Sequence, residues 1–143
     1  MTDWAGPSLF AAAFAGATLL PLSSEAAFAG ALAAGMPAGP ALAWATAGNT
    51  LGCAFNVALG RWARVRAEPR LRASRGGRRA LGAVERWGGW SLGLSWLPIV
   101  GDPITVAAGV ARVPLGIVAV VVPLLRWARY AAIAWSMGAL GGA

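Results

Sequence analysis

Leu97-Pro98-Ile99-Val100-Gly101-Asp102-Pro103 sits in the middle of an apolar block, residues 91–111, whose length alone would suit one membrane crossing. A spanning helix needs ~20 apolar residues to cross a hydrocarbon core of ~30 Å. Two prolines, a glycine and a carboxylate at its centre are incompatible with a plain lipid-facing helix, because proline breaks the hydrogen-bond ladder and a carboxylate in hydrocarbon is costly. The block therefore reads as two short arms around a polar break. Irregular backbone at that depth is tolerated only where protein or a wet cavity covers it, which is the description of a re-entrant hairpin.

Working outward, an earlier block has the same form. Residues 8–36 are interrupted by Leu20-Pro21-Leu22-Ser23-Ser24-Glu25, and the flanking arms, residues 9–20 and 26–35, are each too short to cross. After Met36-Pro37-Ala38-Gly39-Pro40, a turn by composition, residues 41–60 form the first crossing. After Arg112-Val113-Pro114, residues 115–140 form the second, with Pro123, Arg126 and Arg129 inside it. Pro21 and Pro98, Glu25 and Asp102, and Pro37 and Pro114 are all separated by 77 positions, an offset that also sets Asn49 on Arg126 and Gly52 on Arg129. The expected fold is all-α and integral to the membrane. It has two inverted repeats, residues 8–60 and 91–140, each a re-entrant hairpin followed by a transmembrane helix, within a single membrane domain over 1–143.

Composition supports this reading. The chain is 58% hydrophobic and 12% charged with a mean hydropathy of +0.64, against about a quarter charged in a soluble domain. Nine of its twelve arginines lie between Arg61 and Arg86, and that stretch holds the whole net charge of +7. Residues 61–77 read as a cytoplasmic loop that fixes the orientation, with both termini outside, and 78–90 as an interfacial amphipathic helix. Basic charge confined between apolar blocks argues against nucleic acid as a partner. A lone cysteine, Cys53, and the absence of histidine give no support to disulfides, metal sites or histidine catalysis. The first seven residues carry only Asp3 as charge, so the start reads as mature chain rather than a signal peptide.

The polar residues inside apolar blocks are the candidate site. Glu25 and Asp102, at the hairpin tips, are candidate proton-coupling groups, or else N-caps for the half-helices that follow. Arg126 and Arg129 share a helix face and suit a phosphate, which guanidinium groups bind bidentately. The alternatives for them are ion pairs with Glu25 and Asp102, or snorkelling to an interface. Asn49, Asn56 and Tyr130 are candidate cavity-lining groups, with interhelical hydrogen bonding as the competing role of the two asparagines. No nucleophile and base pair is visible, so no enzyme is expected, and no cofactor or metal.

Several elements together resemble the DedA family, also known as the SNARE-associated Golgi or VTT-domain family, in its compact YqaA-like branch. These are Leu20-Pro21-Leu22-Ser23-Ser24-Glu25, Gly48-Asn49-Thr50-Leu51-Gly52 with Asn56 and Leu59-Gly60-Arg61, then Trp87-Gly88, Leu94-Ser95-Trp96-Leu97-Pro98-Ile99-Val100-Gly101-Asp102-Pro103, and Arg126-Trp127-Ala128-Arg129-Tyr130. The resemblance implies two opposed re-entrant hairpins beside crossing helices in the bacterial inner membrane. It also implies movement of phosphorylated lipid carriers, such as undecaprenyl phosphate, or of phospholipids across the bilayer, with protons as the coupling ion. A homo-oligomer is compatible with that family. A proton-coupled transporter of a small ion or drug, and a non-transporting membrane scaffold, are the competing functions.

Overall fold

The computed structural model describes residues 4–18, 23–96 and 101–139, and of residues 96, 101 and 102 the backbone alone. The described residues form helices and turns, with no strand among them. In chain order these are α1 (Ala5–Thr18), α2 (Ser24–Ala33), α3 (Ala38–Trp62), α4 (Arg64–Ala73), α5 (Arg75–Trp87), a 3₁₀ segment (Gly88–Trp96), α6 (Gly101–Val110) and α7 (Leu115–Ser136). The chain clusters into two compact units, Met1–Gly52 with Arg126–Ala143, and Cys53–Leu125. Both α3 and α7 supply residues to each.

The first block holds two separate helices, as its proline and acid predict. α1 and α2 have 14 and 10 residues, about 21 Å and 15 Å of rise, so neither spans a ~30 Å core. Ser23 starts α2 as its N-cap, its hydroxyl accepting from the Ala26 amide at 3.1 Å, so the capping role considered for Glu25 falls to its neighbour. The core of this unit joins Leu9 and Ala13 of α1, Phe28 of α2, Ala41, Leu42 and Ala45 of α3, and Tyr130 and Ala134 of α7. At Gly48 a Cβ would lie 2.3 Å from the Phe10 carbonyl oxygen, so this glycine is what lets α1 and α3 meet.

In the second unit the 3₁₀ segment and α5 pack on α6. Nine residues of 3₁₀ structure is unusually long. The stretch expected as a hydrophilic loop is helical instead. Arg64, Glu68 and Arg72 stand four apart and pair along α4, Arg72 to Glu68 at 2.9 Å and Arg64 to Glu68 at 3.7 Å, which supports a helix even around Pro69. The Arg72 hydrogen bond holds the Glu68 carboxyl below its ordinary range. α5 is amphipathic as expected, but its apolar stripe, Gly77, Ala80, Leu81 and Val84, is buried against protein. The stripe that would have rested on lipid serves as core.

α2 and α6, and the starts of α3 and α7, coincide under the 77-residue offset: Ser24–Ala33 against Gly101–Val110, and Ala38 against Leu115. Their connecting turns match bond for bond. Met36 N–H donates to Ala31 O at 3.0 Å and Val113 N–H to Ala108 O at 2.9 Å; Gly35 donates to Leu32 and Arg112 to Gly109. This closure requires a left-handed residue. Gly35 supplies it at φ 89°, whereas Arg112 is the one non-glycine among the described residues with positive φ, at 57°.

The exposed and buried faces are inverted relative to a soluble protein. α3 buries Asn49 and Asn56 while exposing Trp44, Leu51 and Phe55; α7 buries Arg126 while exposing Leu115, Val120, Leu124 and Trp127. α7 alone among the described helices combines the length and apolarity of a membrane span, 22 residues from Leu115 to Ser136. α3 has the length, 25 residues, but its asparagines, threonines and glycines dilute its apolar character.

Two substitutions test these packing claims by thermal unfolding in detergent. A Cβ on Gly109 would lie 2.2 Å from the Val57 carbonyl oxygen, so Gly109→Ala is expected to cost ~1–3 kcal/mol through backbone displacement. Arg112→Gly removes a left-handed side chain that costs ~1–2 kcal/mol and is expected to raise the melting temperature.

Candidate functional site

Around the first turn of α2, the unit comprising Met1–Gly52 and Arg126–Ala143 gathers the polar side chains of Ser23, Ser24, Glu25, Asn49, Arg129 and Tyr130 within an apolar surround. Glu25 lies in that first turn, held there by the Ser23 cap two residues earlier, and the Ser23 hydroxyl reaches its Oε2 at 3.3 Å. Its Oε1 forms an ion pair with Nη2 of Arg129 on α7. Of the roles open to Arg129, pairing with Glu25 is therefore the one it adopts in this conformation. The pair is only partly shielded, with side-chain exposures of 19% for Arg129 and 37% for Glu25, so the carboxylate remains reachable.

Beside the ion pair, the Asn49 amide of α3 donates to the Tyr130 hydroxyl at 3.1 Å and lies 3.4 Å from Ser24 Oγ and 3.5 Å from the Ala13 carbonyl oxygen. The Tyr130 hydroxyl also hydrogen-bonds Ser24. Its ring stacks obliquely on Phe28, with centroids 5.0 Å apart. Asn49 and Tyr130 are 3% and 1% exposed. These groups are too buried to exchange partners with solvent, so they fix α1, α2, α3 and α7 around the pair. Arg126, 6% exposed, lies close enough for its charge to act on the Tyr130 hydroxyl.

The structure thus brings together Glu25, Arg129, Asn49 and Tyr130, with Arg126 in the same unit. Asn56 is elsewhere: its amide donates to Thr105 of α6 at 3.2 Å in the second unit. Seven residues share a helix face but advance ~10 Å along the axis, so a shared face with Asn49 is not a shared site. The Asp102 side chain lies outside the described residues, although its backbone is the second residue of α6. Residues 19–22 and 97–100, the expected hairpin tips, are also outside them. Sequence reading passed over Ser23 and Ser24 as members of the site, though serine just before an acid and an apolar run is an N-cap signal. No group of acidic residues or cysteine suited to a metal occurs among the described residues.

Two curated relatives are similar to the chain along most of its length. The chain is 40% identical over 128 residues to inner membrane protein YqaA of Escherichia coli (strain K12) and of Shigella flexneri, covering 89% of this chain and 87% of each relative. It belongs to the DedA family, in the YqaA-like branch. An uncharacterised protein of Haemophilus influenzae is 31% identical over 133 residues, covering 87% of this chain and 82% of that protein. No family model matches the chain, and no solved structure matches it significantly. Membership of this branch makes the chain an inner-membrane protein. The solvent of its exposed Leu, Val, Phe and Trp side chains is then lipid, and the Glu25–Arg129 pair is an ionic contact within a membrane domain.

Paired substitutions separate the structural roles. Arg129→Gln alone is expected to lower the melting temperature more than Glu25→Gln with Arg129→Gln, since the single change strands a carboxylate and the double change removes both charges. Tyr130→Phe is expected to cost ~0.6 kcal/mol, the usual size of an interhelical hydrogen bond in a membrane protein.

Proposed function

We propose that the chain translocates phosphorylated lipids, either phosphorylated polyprenol carriers such as undecaprenyl phosphate or phospholipids, across the inner membrane with protons as the coupling ion. The observation carrying this reading is the Glu25–Arg129 pair at the start of a half-length helix, with Arg126 in the same unit. A guanidinium bound to a carboxylate can exchange it for a phosphate of higher charge, making bidentate bonds to its oxygens. The released carboxylate loses its counter-charge and, in the proposed cycle, takes up the coupled proton. Head-group binding and protonation are linked through the single arginine, and departure of the phosphate reverses both.

The architecture suited to this cycle is an inverted repeat of two hairpins, α1–α2 and the 3₁₀ segment with α6, each followed by a crossing helix. The coincidence of element ends and turn hydrogen bonds at the 77-residue offset supports it. In that arrangement Asp102 is the counterpart of Glu25, and the second proton-coupling group. The reaction makes and breaks no covalent bond, so no enzyme chemistry is called for. A transporter of small ions or drugs would need the acids but not a paired arginine, and a scaffold would need neither.

Reconstitution in liposomes with a phosphorylated polyprenol, under imposed pH gradients, tests the proposal. Wild type is expected to move the lipid faster along the gradient. Glu25→Gln and Asp102→Asn should abolish the pH dependence, and Arg126→Ala and Arg129→Ala should lower transfer at least ten-fold. Transfer unchanged in all four variants would reject the mechanism.

A further inference from the structure

A second feature lies wholly within Cys53–Leu125 and takes no part in the Glu25–Arg129 chemistry. Gly89, Trp90 and Gly93 of the 3₁₀ segment, with Gly116, Ile117, Val120, Val121 and Leu125 of α7, line a groove of about 610 Å³. Every lining side chain is apolar or absent, apart from the indole of Trp90. Along α7 the groove runs from Gly116 to Leu125, ~13 Å of helix, close to half of a ~30 Å hydrocarbon core. That is the depth one acyl chain occupies in one leaflet.

The α6–α7 turn leads directly into the Gly116 end of the groove, and two arginines belong to this turn or bond it. The Arg61 guanidinium donates through Nη2 to the Val113 carbonyl oxygen, while its Nε is buried without a partner. Arg112, next to Val113, is exposed and held at a left-handed φ of 57°. The equivalent turn after α2 uses glycine at this position, as does the turn after α7 at Gly138, φ 72°. Arginine in a glycine conformation carries a backbone cost that its packing does not explain, which points to a use for its charge. Among the described residues neither Arg61 nor Arg112 pairs with a carboxylate.

We propose that this groove and arginine pair hold one anionic phospholipid, its acyl chain along α7 and its phosphate between Arg112 and Arg61. The occupant follows from charge complementarity at one end and apolar depth at the other. A neutral lipid leaves the arginines unmatched, and a soluble anion leaves the groove unused. The dipole of α7, whose N-terminus lies at the head-group end, adds to the positive potential there. The arginine-rich α4 and α5 belong to the same unit, so the lipid comes from the cytoplasmic leaflet, whose anionic lipids such segments attract.

The test is native mass spectrometry of the purified chain released from mixed micelles of phosphatidylglycerol and phosphatidylcholine with identical acyl chains. Wild type should retain phosphatidylglycerol at least five-fold over phosphatidylcholine. Gly116→Leu fills the groove where an added Cβ meets nothing within 4 Å, so it should fold and lose at least five-fold of the bound lipid. Arg112→Gly should keep or gain thermal stability while losing the preference for the anionic lipid. Equal retention of the two lipids by wild type, or undiminished phosphatidylglycerol in both variants, overturns the proposal. So does inorganic phosphate that displaces the lipid from wild type and binds Gly116→Leu equally well, since the arginines would then serve a soluble anion.

Discussion

An arginine and a glutamate facing each other inside a membrane domain constrain everything around them. Neither charge is stable there alone, so the backbone has to deliver Glu25 to Arg129 and hold it there. The Ser23 cap and the short α2 accomplish the delivery, and the Asn49–Tyr130–Ser24 hydrogen bonds with the Phe28 contact hold the receiving helix. Glycines at Gly48 and Gly109 let helices approach until backbone meets backbone. Lipid supplies no hydrophobic drive between helices, so close contact and buried hydrogen bonds carry the cohesion.

The same logic explains why the polar interior does not spoil a membrane protein. α3 and α7 expose large apolar side chains and turn their amides, phenol and guanidinium inward, where Asn49 meets Tyr130 and Asn56 meets Thr105. The ion pair differs from the hydrogen bonds beside it. It is the more exposed of the two, and in the proposed cycle a phosphate takes the place of its carboxylate while the helix contacts stay in place. Structural permanence and exchangeable charge are thus divided between neighbouring residues on the same helices.

Much of this was legible in the residues. Prolines with an acid between two short apolar arms announce a divided helix, and Pro37 and Pro114 mark where α3 and α7 begin. The arginines of α7 were visible as intramembrane charges, although sequence left three roles open and only tertiary contact selected pairing with Glu25 for Arg129. Other features escaped for identifiable reasons. The arginine-rich stretch read as a loop because its charge masked the four-residue spacing of Arg64, Glu68 and Arg72. The apolar stripe of α5 looked destined for lipid because sequence shows that a face is apolar but not what covers it. Asn56 was grouped with Asn49 because periodicity records angle around a helix and ignores distance along it.

The proposed cycle requires that a phosphate displace Glu25 from Arg129 and that the freed carboxylate take up a proton. Infrared difference spectroscopy of the reconstituted chain, before and after addition of a phosphorylated polyprenol, reads this directly. A new protonated-carboxyl band is expected in wild type and is expected to be missing from Glu25→Gln. Saturating lipid binding with the Glu25 carboxylate band unchanged would contradict it.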